Sequence, residues 1–161
     1  MPVNNRNLRK PDAFLMNEDT VNQAVASFLI SKGFDCETPL TGRQHGVDVK
    51  AKKNNVSIYV ESKGSRKNSA ADDEVFDQGQ LVNHMAKQIY TLMKYEAANS
   101  EWDNIYILAN PDIERIRIEY NKVKNTVQKL QFVCMWVQSD NTVIVENPKS
   151  MDNLLFDLGI L

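Results

Sequence analysis

The sequence predicts an α/β domain in which a mixed sheet is flanked by helices. Apolar stripes at helical spacing alternate with short runs typical of strands, and two of these runs form a hairpin. No linker or low-complexity tract divides the 161 residues, a length that buries roughly two-thirds of the unfolded surface in one core. The predicted element order is α-β-β-β-α-β-α-β-β.

The first helix is predicted at residues 17–33, where Val21, Val25 and Phe28 lie on one apolar stripe. Asn17 or Asp19 can cap its start, and a glycine ends it. A short strand is expected at 34–38 and a loop at 39–44. Residues 1–16 carry three basic side chains and are expected to form a basic, flexible arm, which leaves 17–161 as the folded domain.

The hairpin is predicted from GVDVKAKKNNVSIYVESKG, residues 46–64. Asparagine tolerates the positive φ of a two-residue turn, so Asn54 and Asn55 are placed at its tip. Residue 53 then faces residue 56, and Asp48 lies across from Glu61. A register slip of one residue would drive both acids into the apolar face, so the alternation supports this pairing.

The remaining elements follow from the same patterns. Residues 64–78 read as a polar loop, and a second helix is expected at 79–98, followed by a buried strand at 104–109. Pro111 can open a third helix that runs to residue 130, and strands are expected at 131–137 and 142–146. The second helix is expected to bury Leu81, Met85, Ile89, Leu92 and Met93, and the third Ile113, Ile116, Ile118, Tyr120, Val123 and Val127.

The composition excludes several classes of protein. Nineteen basic against 21 acidic residues give a net charge of −2, so binding of nucleic acid by bulk charge is not expected. No apolar run reaches the ~20 residues of a membrane span, and the start lacks the apolar core of a signal peptide. Cys36 and Cys134 lie far apart, and Cys134 is expected to be a buried small hydrophobe. A cytoplasmic location is expected.

Two acids facing each other across a hairpin need an explanation, because like charges in that position are destabilising. A shared proton, a cationic side chain or a divalent metal ion can reconcile them. Lys63 lies on the same face as Glu61, opposite Gly46, which has no side chain to fill the space. Mg²⁺ prefers hard oxygen ligands and takes one or two protein carboxylates. An ordinary solvated face with Asp, Glu and Lys is the alternative that spacing alone leaves open.

The helix, Asp48 and then Glu61-Ser62-Lys63 on the next strand resemble the PD-(D/E)xK superfamily of restriction-endonuclease-like nucleases, over about residues 17–110. The resemblance implies an α-β-β-β-α-β core and an endonuclease-like domain that hydrolyses phosphodiester bonds, with DNA as the expected substrate. It also implies that Asp48, Glu61 and the carbonyl of Ser62 bind Mg²⁺ or Mn²⁺ and that Lys63 assists catalysis.

The sequence departs from the family pattern at two positions. Val47 stands where the family has proline before the acid. Many members also carry a glutamate on the first helix near the metal, where this chain has Asn22. Glu18, one turn earlier, is the candidate for a further metal ligand, and an ordinary acid in the first turn of a helix is its alternative.

Other candidates lie around the hairpin. Gln80 and His84 share one face of the second helix and resemble the Gln-x-x-x-Tyr of RecB-like nucleases. The resemblance implies a catalytic role for Gln80 and a substrate contact for His84, and the alternative is a surface glutamine and a helix histidine with no functional role. Four more side chains are expected to contact phosphates or to be ordinary loop residues: Arg43, His45, Arg66 and Lys67. Trp102 and Trp136 are expected to be packing residues.

These observations predict a Mg²⁺-dependent nuclease. Because the chain is not basic, a homodimer or a partner protein that supplies targeting is expected in addition to the nucleic acid. The alternatives are a non-catalytic nuclease-like scaffold or partner-binding subunit, and an unrelated α/β domain whose hairpin is merely charged.

Overall fold

The computed structural model describes residues 1–37, 46–101 and 103–161, which form an α/β fold built on a six-stranded mixed sheet. The strands are β1 (Val3–Asn4), β2 (Asp35–Cys36), β3 (Val49–Lys53), β4 (Val56–Ser62), β5 (Glu74–Val75), β6 (Asn104–Pro111), β7 (Val133–Val137) and β8 (Val143–Glu146). The helices are α1 (Glu18–Ser31), α2 (Gln78–Ala98), α3 (Glu114–Lys129) and α4 (Asp152–Asp157), with 3₁₀ turns at Asn5–Asn7 and Lys149–Met151.

The main sheet has the order β2-β3-β4-β6-β7-β8. Strands β4, β6 and β7 are parallel because α2 and α3 carry the chain back between them, and the other neighbours are antiparallel. Buried side chains of α1 and α4 pack on one face of the sheet, and those of α2 and α3 pack on the other. The predicted class, a mixed sheet flanked by helices, is confirmed.

The β3–β4 hairpin has the predicted register. Asn54 and Asn55 adopt φ of 49° and 66°, and the pairs run from Lys53 with Val56 to Val49 with Val60. Apolar residues on one face of both strands are buried against α1: Val49, Ala51, Val56, Ile58 and Val60. The end of the hairpin nearest Asp48 therefore lies beside β6 and the start of α1, where the candidate site is found.

The first sixteen residues are folded, so the expectation of a flexible arm is wrong. Strand β1 pairs with β5, which lies inside the predicted loop 64–78. The buried Asn5 side chain bonds both the amide and the carbonyl of Asp12, at 2.8 and 3.1 Å. The carboxylate of Asp12 in turn accepts two hydrogen bonds from Arg115 on α3, at 2.7 and 2.6 Å. These contacts hold residues 1–16 against β5 and α3.

Several predicted details of the helices are corrected. Pro111 is the last residue of β6, and α3 begins only at Glu114. Four side chains expected in the core are only partly buried or are exposed: Ile89, Met93, Ile118 and Val123. Helix α4 was not expected, and the loop predicted at 39–44 lies outside the described residues. Cys134 and Trp136 are fully buried, which confirms their expected packing roles, whereas Trp102 is not among the residues described.

The described helices include none with the length and apolar character needed to cross a membrane.

Candidate active site

Glu61 lies near the carboxyl end of β4, between β3 and β6, and its side chain is only 7% exposed. It projects from the α2 face of the sheet, as does Tyr59 two residues before it. A carboxyl group at an interior strand position is costly unless it is neutralised or paired. Its surroundings therefore decide what this side chain can do.

Asp48 reaches Glu61 through an irregularity at the end of β3. The amide of Asp48 donates to the carbonyl of Val60 at 3.1 Å, and Val60 is also the partner of Val49. Two residues thus face one, as in a β-bulge, which re-aims the side chain of the extra residue. The Oδ2 atom of Asp48 accepts the amide of Ser62 at 2.7 Å, and its carboxyl group shares a hydrogen bond with Glu61.

The two carboxyl groups compete for a proton. Burial and, after it, the neighbouring charge of Asp48 raise the pKa of Glu61 to about 8, against the opposing effect of Lys63. Burial also raises the pKa of Asp48, but the Ser62 amide and the hydrogen bond with Glu61 oppose that shift. Glu61 therefore keeps the proton, and its hydroxyl donates a hydrogen bond to the carboxylate of Asp48.

Lys63 and Glu18 complete the cluster. The Nζ atom of Lys63 lies 3.7 Å from Oε2 of Glu18, the first residue of α1. Burial raises the pKa of Glu18, Lys63 lowers it, and the charge of Asp48 raises it again, so all three groups share one electrostatic environment. The expectation that Glu18 reaches this region is supported, and Asn22, one turn later, is buried.

A glycine allows the chain leaving β4 to touch the start of α1. A Cβ atom at Gly64 would lie 2.6 Å from the amide nitrogen of Glu18 and 2.7 Å from the carbonyl carbon of Asn17. The side chain of Asn17 accepts the amide of Thr20 at 2.9 Å, so the helix begins at a defined residue. This close approach brings Glu18 to Lys63.

The oxygen atoms of this cluster are of the kind that Mg²⁺ prefers. The amide of Lys63 points to β6, where it donates to Ala109 at 3.0 Å, whereas the amide of Ser62 points to Asp48. In a strand the carbonyl of a residue points to the same side as its amide, so the Ser62 carbonyl faces Asp48. Within 1–37, 46–101 and 103–161, no three His, Cys, Asp or Glu side chains form a ready metal cage. A pair of carboxylates with a backbone oxygen suits an ion that keeps several waters.

Gln80 is occupied elsewhere, which corrects its expected position facing the carboxylates. Its Oε1 atom accepts the amide of Asp77 at 2.9 Å, and Asp77 accepts the amide of Gln80 at 2.7 Å, so the pair forms a capping box at the start of α2. His84 packs edge-on against Phe76 with ring centroids 4.3 Å apart. Burial and the charge of Lys63 lower the pKa of His84, so its imidazole is neutral at the rim of the cluster.

Gln88 on α2 is a residue that the sequence reasoning missed. Its fully buried amide donates to the carbonyls of Glu61 at 2.7 Å and Ala109 at 3.1 Å, and accepts from Asn110 at 3.2 Å. It therefore joins β4 to β6 at the level of the carboxylates. The signal was a glutamine within the stripe of Leu81, Met85 and Leu92, at a position where an apolar residue is expected.

Four candidates for contacts with phosphate remain, and two of them, Arg43 and His45, lie outside the described residues. The guanidinium of Arg66 donates to the carbonyl of Ala71 within its own loop. Lys67 is exposed, and its side chain makes no hydrogen bond or ion pair with the residues that the structure describes.

No family model matches this sequence, and no curated protein is similar enough to it to count as a relative.

Proposed function

We propose that this chain is a Mg²⁺-dependent nuclease in which Asp48 and Glu61 bind the metal and Lys63 assists hydrolysis of a phosphodiester bond. The observation that carries the proposal is the shared hydrogen bond between Asp48 and Glu61, beside an ammonium group and a third acid. Such a cluster has more negative charge than its surroundings compensate, which is the electrostatic condition that favours a divalent cation.

The topology supports the same proposal. Apart from the short strand β5, which pairs with β1 outside the main sheet, helix α1 is followed by the antiparallel strands β2, β3 and β4, and then by α2 and β6, which returns parallel to β4. This is the order expected of a restriction-endonuclease-like core, and in it the two acids come from β4 and from the residue preceding β3. The side-chain amide of Gln88 donates a hydrogen bond to the carbonyl of Glu61 and so fixes the backbone that carries this proposed metal ligand.

Each group then has a distinct task. A bound divalent ion supplies Lewis acidity and lowers the pKa of a coordinated water. Asp48 and Glu61 would hold the ion through carboxylate oxygens after their shared proton passes to solvent, and the Ser62 carbonyl would be a further oxygen ligand. Lys63 holds a positive charge near the oxygens on which negative charge develops, and Glu18 orients that ammonium group from 3.7 Å.

The substrate is proposed to be DNA, and the surface charge bears on how it is reached. A chain with a net charge of −2 has little general attraction for a polyanion. A second copy or a partner protein that supplies cationic surface is therefore part of the proposal.

The first test measures cleavage of plasmid DNA and of a labelled oligonucleotide with Mg²⁺, Mn²⁺ or no metal. We expect cleavage only with metal, and losses of about 100-fold or more in Glu61→Gln and Lys63→Met. Glu96→Gln, which removes an exposed acid near the end of α2, is the matched control and is expected to cleave normally. Activity that survives both active-site changes contradicts the assignment.

A second test needs no substrate. Calorimetric titration with Mn²⁺ is expected to show binding that disappears in Asp48→Asn, together with release of about one proton at pH 7. A folded protein that binds no Mn²⁺ at millimolar concentration is evidence for the non-catalytic scaffold instead.

A further inference from the structure

An open cavity lies on the same sheet face as the carboxylates, nearer the tip of the hairpin. Its volume is about 470 Å³, and it is lined by Lys52, Asn55, Ser57, Tyr59, Asn99 and Asn104. Asn99 follows the last residue of α2, so the helix does not extend over this part of the sheet face.

The cavity and the candidate active site lie along the same strand, β4. Ser57, Tyr59 and Glu61 alternate with buried residues of β4 and therefore share a face. At about 3.3 Å per residue, Tyr59 lies roughly 7 Å and Ser57 roughly 13 Å from Glu61 along the strand. These distances are suited to the nucleotides next to a phosphate bound at the carboxylates.

The lining chemistry suits a nucleobase on an anionic chain. None of the six lining residues is an acid, although acids outnumber bases in the whole sequence. Lysine, serine and three asparagines offer donors and acceptors of the kind that read base edges. The Nδ2 atoms of Asn99 and Asn104 are held by the carbonyls of Tyr95 and Asn99, at 2.8 and 3.1 Å, while both Oδ1 atoms accept no hydrogen bond from the described residues.

One wall of the cavity is an aromatic ring held in place by its neighbours. Tyr59 stacks on Tyr106 with centroids 5.5 Å apart and planes 16° apart, and on Tyr95 at 5.8 Å and 22°. The ammonium of Lys50 lies 5.5 Å from the same ring. A ring fixed in this way presents a rigid apolar edge to whatever enters.

We propose that this cavity binds an unpaired nucleobase one or two nucleotides from the scissile phosphate, so that the substrate is single-stranded or frayed nucleic acid. This inference rests on the proposed nuclease function. A base within a duplex has its faces stacked and its edge paired, and it can enter such a cavity only after leaving the helix.

The test uses Ser57→Phe, which fills the cavity with a residue that strands favour, and Ser27→Phe, on an exposed position of α1, as the matched control. Binding is measured in Ca²⁺ by the fluorescence of a single-stranded oligonucleotide that carries 2-aminopurine. Cleavage with Mg²⁺ is measured on the same oligonucleotide, on its blunt duplex and on bis(4-nitrophenyl) phosphate, a small phosphodiester with no base.

We expect Ser57→Phe to weaken oligonucleotide binding and lower its kcat/KM about tenfold, while hydrolysis of bis(4-nitrophenyl) phosphate stays within about twofold. An abasic site one or two nucleotides from the cleaved bond should reduce wild-type cleavage equally and have no added effect in Ser57→Phe. The duplex should be the poorer substrate.

Unchanged oligonucleotide binding and cleavage in Ser57→Phe, or equal losses in Ser27→Phe, overturn the cavity proposal. Failure of the wild-type protein to hydrolyse bis(4-nitrophenyl) phosphate or any oligonucleotide counts against the nuclease function instead. In that case the 2-aminopurine titration still decides whether the cavity takes a base.

Discussion

The proton shared by Asp48 and Glu61 predicts that the metal-free protein loses stability as the pH rises. The pKa of Glu61 is about 8 in the folded chain against an ordinary value of 4.5, so the folded state holds this proton more tightly than the unfolded state does. The stabilisation is fully present below pH 4.5 and is lost as the pH rises to about 8. Asp48 and Glu18, whose pKa values are also raised, act in the same direction.

The size of this effect follows from the same shift. At about 1.4 kcal/mol per pKa unit, the rise in the pKa of Glu61 from 4.5 to about 8 limits the pH-dependent loss in the free energy of unfolding to roughly 5 kcal/mol. Because Asp48 is partly exposed and water screens the pair, we expect about 2–3 kcal/mol, or roughly 5–10 °C in Tm for a chain of this size.

The assay is urea unfolding between pH 5 and pH 8.5 in the presence of a chelator. Glu61→Gln should abolish most of the fall in the free energy of unfolding with rising pH, because the glutamine amide donates a hydrogen bond to Asp48 at every pH. Glu96→Gln controls for the loss of one negative charge. His84, whose pKa is lowered, acts in the opposite direction, but it is common to both proteins and cancels in their difference. Mn²⁺ should stabilise the wild type more at pH 8 than at pH 5. Identical pH profiles for wild type and Glu61→Gln refute the shared proton.

Three further changes test the supports of the site. Gly64→Ala should cost about 1–3 kcal/mol in urea unfolding, because its Cβ atom would lie 2.6 Å from the backbone of α1. Gln88→Met should cost about 2–3 kcal/mol and weaken Mn²⁺ binding about tenfold in calorimetry, because three buried hydrogen bonds are lost; unchanged metal affinity would limit this residue to packing. Asp12→Asn should cost about 3–5 kcal/mol in thermal unfolding because it leaves Arg115 without its carboxylate, whereas Lys10→Ala, at an exposed ion pair, should cost less than about 1 kcal/mol.

The parts of the fold that sequence predicted well are those governed by local patterns. The Asn54-Asn55 turn and the alternation around it set the register of β3 and β4, because a shift of one residue would bury charge. The apolar stripe that begins at Val21 predicted α1, and the asparagine at position 17 was one of two predicted caps and is the cap that the structure has. These features depend on neighbours in sequence, which a single chain displays.

The parts that were missed depend on contacts between distant segments. The ordering of residues 1–16 needs Arg115 on α3, and nothing local to Asp12 indicates that partner. The side chain of Gln80 was expected to face the carboxylates, but its Oε1 atom instead accepts a hydrogen bond from the backbone amide of Asp77 at the start of α2. Gln88 lies in an apolar stripe, and the strand carbonyls that make a glutamine suitable there are known only once the sheet is assembled.

The tip of the β3–β4 hairpin is fastened by a single ammonium group. The Nζ atom of Lys53 donates to the carbonyl of Lys32, just beyond α1, at 2.6 Å, and to that of Leu158, just beyond α4, at 2.8 Å. The turn is therefore held to the ends of two helices. The opposite end of the hairpin carries Asp48 on a bulge, two residues after Gly46, whose φ is 120°. If a cation entering between the two acids changes their separation, we expect the backbone to move at this bulge rather than at the turn.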